Sequence, residues 1–227
     1  MIFGGIQKLS TIDYPRVLSC VLFTVGCDFD CFYCHNRELI HGSSNTISEE
    51  EVMDFLRKRK GLIDGVVISG GEPTIQNDLA EFIERIRSMG FLTKLDTNGM
   101  HPDVVKNLLD KKLVDYYAVD IKALPCDYNK VCGISGFDNV KTTVELLSKS
   151  RADYEVRTTL YPELTLSSLK ELLASFPVQQ CWRLNFFRQP EKYKEDDLER
   201  LSATALTKKD IEANLSDIKS IQPNLNF

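Results

Sequence analysis

VVISGGEP (residues 66–73), LTKLDTNG (92–99) and YYAVDIK (116–122) share one pattern. Each is a short apolar run that stops on a glycine pair or on an acidic residue, the signature of a buried strand followed by a turn. Between them lie segments with helical spacing. Residues 77–89 carry apolar side chains at 79, 82, 83 and 86 and stop at Gly90, and 102–110 begin with a proline in the first turn.

The alternation continues in both directions. Residues 17–23 (VLSCVLF) read as a first strand, and 48–58 as a helix whose Ser48 and Glu51 spell a capping box. Downstream, 139–148 and 166–175 read as helices, and 154–160 and 183–187 as strands. Six strands alternating with helices predict a parallel sheet with right-handed crossovers. Six units fall short of a closed eight-stranded barrel, so the expected fold is α/β, an open partial (β/α)6 barrel over residues 1–189. Residues 190–227, highly charged until a helical stretch at 208–218, read as a solvated appendage of the same domain.

The chain has 227 residues, 43% hydrophobic and 27% charged, with net charge −5 and a pI near 5.3. This is the composition of an ordinary soluble protein, and it argues against a surface built for nucleic acid or anionic lipid. The apolar stretch 17–25 is too short to span a bilayer, and the first residues lack a secretory pattern, so a cytoplasmic location with reduced thiols is expected. Seven cysteines are present, three of them within eight residues, which suits a metal site better than a disulfide framework.

Those three are Cys27, Cys31 and Cys34, spaced C-x-x-x-C-x-x-C. Three thiolates would hold three irons of a [4Fe–4S] cubane and leave the fourth open to an external ligand. A structural zinc with His35 or His41 as fourth ligand is the alternative, and three unrelated core cysteines a second. Cys20, Cys126, Cys132 and Cys181 are too scattered to hold another cluster. In parallel α/β folds ligands bind at the carboxyl ends of the strands, where Gly70, Gly71, Asp96, Asp120 and Lys122 all fall. Carboxylates and a lysine suit a ligand carrying both signs of charge.

The spelling C-x-x-x-C-x-aromatic-C, with Tyr33 as the aromatic, resembles the radical S-adenosylmethionine superfamily. The resemblance implies a [4Fe–4S] cluster on the three cysteines, with S-adenosylmethionine on the open iron and Tyr33 near its adenine. Gly70-Gly71-Glu72-Pro73 resembles the family motif that receives the methionine ammonium. The D-T-N-G and D-I-K spellings resemble activases of glycyl radical enzymes. They imply that Asp96, Thr97, Asp120 and the Ala118 carbonyl help place the cofactor and bind a monovalent cation, with Lys122 facing the methionine carboxylate. Arg157 is either a further polar contact in the mouth or part of a buried salt bridge.

Ile12-Asp13-Tyr14-Pro15 and His35-Asn36 resemble the activating proteins of anaerobic ribonucleoside-triphosphate reductase, a likeness that runs from about Gly4 to Gln189. It implies a glycyl radical enzyme as partner and a one-electron donor such as flavodoxin or ferredoxin. The 5′-deoxyadenosyl radical made from S-adenosylmethionine would take hydrogen from a glycine of the partner. Two rival readings stand beside it: a radical enzyme acting on a small molecule or another peptide, and a non-enzymatic zinc- or cluster-binding module.

Overall fold

In the computed structural model, which describes residues 1–42 and 45–227, the chain begins with β1 (Ile2–Ser10), β2 (Ser19–Thr24), α1 (Arg37–Ile40), β3 (Ile47–Ser48) and α2 (Glu49–Arg59). It continues through β4 (Gly65–Gly70), α3 (Leu79–Ser88), β5 (Leu92–Thr97), α4 (Pro102–Asp110), β6 (Tyr116–Asp120), α5 (Tyr128–Cys132) and α6 (Phe137–Lys149). The last elements are β7 (Asp153–Leu160), α7 (Leu166–Ala174), β8 (Trp182–Phe186), α8 (Leu198–Leu201), α9 (Lys208–Ala213), α10 (Leu215–Ile221) and β9 (Leu225–Asn226). Among the described residues the strands form one sheet in the order β3-β1-β2-β4-β5-β6-β7-β8-β9.

The six expected strands are β2, β4, β5, β6, β7 and β8, and each pairs in parallel with the next. This is the open α/β partial barrel that the alternation predicts. The sheet is wider than expected, because β1 lies antiparallel on β2, β3 antiparallel on β1, and β9 parallel on β8. These edges were not legible for a physical reason. β1 contains Gly4 and Gly5 and shows no two-residue alternation of burial, while β3 and β9 are two residues long.

Side-chain alternation along the parallel strands divides the molecule into two environments. One parity points outward beneath the helices: Leu22, Ile68, Leu95, Val119, Val156 and Leu184 are all buried in the main core with Phe82, Ile83, Val140 and Leu169. The opposite parity lines the concave face, where a small apolar cluster of Tyr14, Val21 and Val67 gives way to charged residues nearer the mouth. The helices start as their sequences predict. Ser48 Oγ accepts from Glu51 N–H at 3.3 Å and the Glu51 carboxylate accepts from Ser48 N–H at 2.9 Å, which closes the capping box of α2.

The segment after Gln189 is exposed from residue 191 to 196, yet it also supplies buried side chains. Leu201, Ile211, Ile218 and Leu225 enter the main core. Gln222 is buried with them. Its amide donates to the carbonyls of Leu173, Phe176 and Pro177 at 3.0, 3.3 and 3.1 Å, and its Oε1 accepts from Gln179 N–H at 3.0 Å. Charge density dominates the composition of this stretch and hides the apolar positions that anchor it. Among the described residues no helix is long and apolar enough to cross a membrane.

An Ile218→Ala substitution is therefore expected to destabilise the whole protein by about 2–4 kcal/mol. Urea unfolding with an unchanged m-value is the check, and a change below about 0.5 kcal/mol would show that the terminal segment is energetically separate.

Candidate functional site

The three cysteines, Tyr33 and the strand-end residues expected to hold the cofactor line one cavity of about 470 Å³ at the carboxyl ends of the parallel strands, whereas Ala118 does not. Cys27, Cys31, Tyr33 and Cys34 come from the loop after β2, Gly70, Gly71 and Glu72 from the end of β4, and Asp96 and Thr97 from the end of β5. Asp120 and Lys122 come from the end of β6, and Arg157 from β7.

The glycine pair closes one side of this mouth. Gly71 N–H donates to the Thr24 carbonyl at 2.9 Å and Glu72 N–H to the Gly26 carbonyl at 2.7 Å. A Cβ on Gly71 would stand 1.9 Å from the Gly26 oxygen, and Gly70 has φ +114° with its absent Cβ aimed at the Thr24 nitrogen, 2.3 Å away. Both positions exclude any larger residue, because two backbones meet there. The glycines thus dock the start of the cysteine loop onto β4 as well as lining the cavity.

Glu72 joins β4 to β5. Its carboxylate is 1% exposed and accepts from Thr74 N–H (3.0 Å), Thr74 Oγ1, Thr97 Oγ1 (2.7 Å) and Asn98 N–H (2.7 Å). Burial raises its pKa, and the donors from Asn98, Thr74 and Thr97 work against that rise. With three donors on Oε1 and one on Oε2, the carboxylate acts as a brace between two strand ends.

The opposite wall is a chain of alternating charges. Asp96 accepts from Lys94 Nζ at 2.5 Å and Ser69 Oγ at 3.1 Å, with Arg157 Nη1 at 3.2 Å. Asp120 accepts from Arg157 Nε at 2.8 Å and Lys122 Nζ at 3.0 Å. Strand register explains the assembly: Asp120 pairs with Arg157 across β6 and β7, Asp96 sits opposite Ala118, and all share the concave parity. Burial alone would push both carboxyls up, but Arg157, then Lys94 for Asp96 and Lys122 for Asp120, hold them below the ordinary carboxylate range. Arg157 is thus both a lining residue and a half-buried salt-bridge partner, combining the two readings its sequence left open. Lys94, 1% exposed, was not anticipated, although a lysine inside an apolar strand is itself a sign of a buried ion pair.

Asp96 and Asp120, which with Thr97 and the Ala118 carbonyl were expected to bind a monovalent cation, are each paired here with side-chain cations.

The cysteine loop fits an iron–sulfur cluster better. Phe29 N–H donates to Cys27 Sγ at 3.4 Å, a backbone donor of the kind that suits a thiolate ligand. Burial pushes the Cys27 thiol up to about 12 and raises Cys34 as well, so bare thiolates would be costly here without iron. The three thiols line the same cavity, and among the described residues no three His, Cys, Asp or Glu side chains form a single-ion site. His35 lines the cavity, whereas His41 is exposed outside it. Tyr33 stacks on Tyr161 at 5.1 Å and 7°, with Phe32 edge-on at 5.2 Å.

This loop is supported from within by Arg37 and from far away in sequence by Lys194 and Arg200. Arg37 donates to Asp30 at 2.7 Å, Lys194 also pairs with Asp30, and the Arg200 guanidinium lies 3.7 Å over the Phe32 ring. The run 191–200, expected as a solvated face, is thus fastened at intervals to the outside of the cysteine loop. Cys132, from α5, lies beside this loop, its carbonyl accepting from Asp30 N–H at 2.8 Å.

Comparison with known proteins agrees with this geometry. The family model described as the Radical SAM superfamily matches residues 21–176. A Methanocaldococcus jannaschii protein provisionally named glycyl-radical enzyme activating enzyme is 35% identical over 207 residues, covering 85% of this chain and 82% of the relative. A provisionally named GTP 3′,8-cyclase of Saccharolobus solfataricus is 32% identical over 126 residues, covering 53% of this chain and 40% of the relative. In fold, the chain resembles Streptococcus suis SuiB bound to S-adenosylmethionine, with TM-score 0.70, 18% identity, and coverage of 91% of this chain and 49% of SuiB.

Removing the guanidinium leaves two half-buried carboxylates short of a partner. Arg157→Ala is expected to lower stability at pH 7 by about 1–3 kcal/mol. Because the folded pKa values of Asp96 and Asp120 are depressed, their stabilisation is present above about pH 4 and is lost as pH falls through the folded values. The deficit of the variant should therefore shrink below pH 4. Denaturant unfolding from pH 7 to pH 2 measures it, and a deficit independent of pH would refute the charge-network account.

Proposed function

The chain belongs to the radical SAM superfamily, and on that premise we propose that it is a glycyl radical enzyme activase, most closely of the anaerobic ribonucleoside-triphosphate reductase type. The observation that carries the reading is the gathering of three thiols, the glycine pair and Lys122 around one cavity at the barrel mouth. In this reading Cys27, Cys31 and Cys34 hold a [4Fe–4S] cluster, and S-adenosylmethionine occupies the cavity beside it. When bound, the cluster supplies the electron that splits the sulfonium into methionine and a 5′-deoxyadenosyl radical.

The chain's own residues orient the cofactor. Lys122 has three donors and spends one on Asp120, which leaves it able to meet the methionine carboxylate. The backbone at Gly70 and Gly71 receives the ammonium, held in place by the Glu72 and Thr97 brace. Tyr33, fixed by its stack on Tyr161, sets the adenine side. Asp96 and Asp120 hold Arg157 and Lys122 in position, and Arg157 supplies the charge that a monovalent cation would otherwise bring.

A protein substrate is supported by the mouth itself. Among the described residues none beyond Asn185 lines the cavity, which supports leaving its opening to a partner's glycine loop. The relative sharing 82% of its length with this chain bears an activase name, whereas the cyclase match spans only 40% of its relative. The electron donor would be a one-electron carrier such as flavodoxin or ferredoxin, and the setting a reducing cytoplasm.

Anaerobic reconstitution with iron and sulfide, reduction, and assay of 5′-deoxyadenosine test the proposal. Wild type should cleave S-adenosylmethionine, Cys31→Ala should fall to background, and Lys122→Ala should weaken S-adenosylmethionine binding about tenfold. With a glycyl radical enzyme added, an electron paramagnetic resonance doublet from the glycyl radical is expected. Zinc without sulfide would sink the reading, and turnover on a small molecule without a glycyl radical would move it to the rival class. Replacing sodium and potassium with tetramethylammonium should leave the cleavage rate unchanged within about twofold, since Arg157 fills the site between the carboxylates.

A further inference from the structure

Cys132 is remote from the three-cysteine loop in sequence and adjacent to it in space. It is the last residue of α5 and is completely buried. Two backbone hydrogen bonds create the contact: Asp30 N–H donates to the Cys132 carbonyl at 2.8 Å and Phe32 N–H to the Val131 carbonyl at 3.2 Å. The residues on both sides of Cys31 are therefore tied to the end of this helix. Gly133 follows with φ +74°, and a Cβ there would meet Asp30 Cβ at 3.3 Å, so the two segments pack at their closest. The clasp sets the fully buried Cys132 beside Cys31.

We propose that Cys132 is a positioning residue for the iron–sulfur cluster, its S–H donating to the Cys31 sulfur and setting how readily the cluster accepts an electron. The inference rests on the reading of Cys27, Cys31 and Cys34 as ligands. A ligating Cys31 is a thiolate and carries no proton, so the S–H of the pair is the one on Cys132. A hydrogen bond to a ligand sulfur favours the more negative, reduced cluster over the oxidised one and raises its reduction potential. The backbone clasp on both sides of Cys31 keeps this donor in place whatever occupies the cavity.

Redox titration followed by electron paramagnetic resonance tests this on the full-length reconstituted protein, as wild type, Cys132→Ala and Cys132→Ser, with iron and sulfide measured on each. Equal loading is expected. At the wild-type midpoint potential the reduced-to-oxidised ratio of Cys132→Ala should be about fivefold lower, as expected for losing one net hydrogen bond. Cys132→Ser, which keeps a donor, should recover most of that loss. Thermal melting of the apo proteins separates a packing defect, which moves Tm without moving the potential. Equal potentials at equal loading would overturn the inference and leave the cluster reading intact. Reduced iron content in both variants would make Cys132 a ligand and overturn it too. Failure of the wild type to load iron and sulfide would instead overturn the cluster reading.

Discussion

Two carboxylates on the concave face of a parallel sheet are costly unless something positive lies between them, and Arg157 fills that place. Its Nε reaches Asp120 at 2.8 Å and its Nη1 reaches Asp96 at 3.2 Å, so one rigid planar group spans β5, β6 and β7. Lys94 and Lys122 complete the set from either side. The strands can then converge at their carboxyl ends without charge repulsion. The cavity inherits a wall whose carboxylates stay ionised and whose cations stay oriented, which is the preorganisation a zwitterionic sulfonium cofactor requires.

The cysteine loop depends on a different kind of restraint. It has little regular structure of its own, apart from the one-turn α1 that follows it, and is gripped from three sides. The glycine pair of β4 docks its start by direct backbone contact, α5 accepts hydrogen bonds from residues flanking Cys31, and the run around 192–200 holds its outer face through Asp30, Glu38 and Phe32. A loop held in this way can present thiols to a cluster in a fixed arrangement while its inner side stays open to a cofactor. Among these grips the glycine contact tolerates least change, because at 1.9 Å from the Gly26 oxygen there is no room for a single added carbon.

Glu72 and Arg157 show why a motif's spelling and its geometry are separate kinds of information. The acid of G-G-E-P marks a mouth residue, and it does line the cavity, but its carboxylate is consumed by four protein donors. Arg157 was ambiguous between cavity and salt bridge because those alternatives differ only in what stands across the sheet. Cys132 and Arg200 carry no mark in their own stretch of chain, because what they meet, the Cys31 segment and the Phe32 ring, lies far away in sequence. Lys94 is marked locally, as a charge inside an apolar strand, but its pairing with Asp96 two residues on follows from the shared concave face.

The sequence by itself determined the six-unit parallel core, the helix starts, the identity of the cysteine loop and the strand ends that meet at one mouth. Those features are written locally, in the period of apolar residues, in capping pairs and in glycine and acidic stops, and local backbone preference is enough to read them. Tertiary structure alone decided the edges β1, β3 and β9, the burial of Ile211, Ile218 and Leu225 within a highly charged tail, and the partners of each charge. Those depend on strand register and on contacts between residues far apart in the chain, and a short or irregular segment acquires its place only from the surface it packs against.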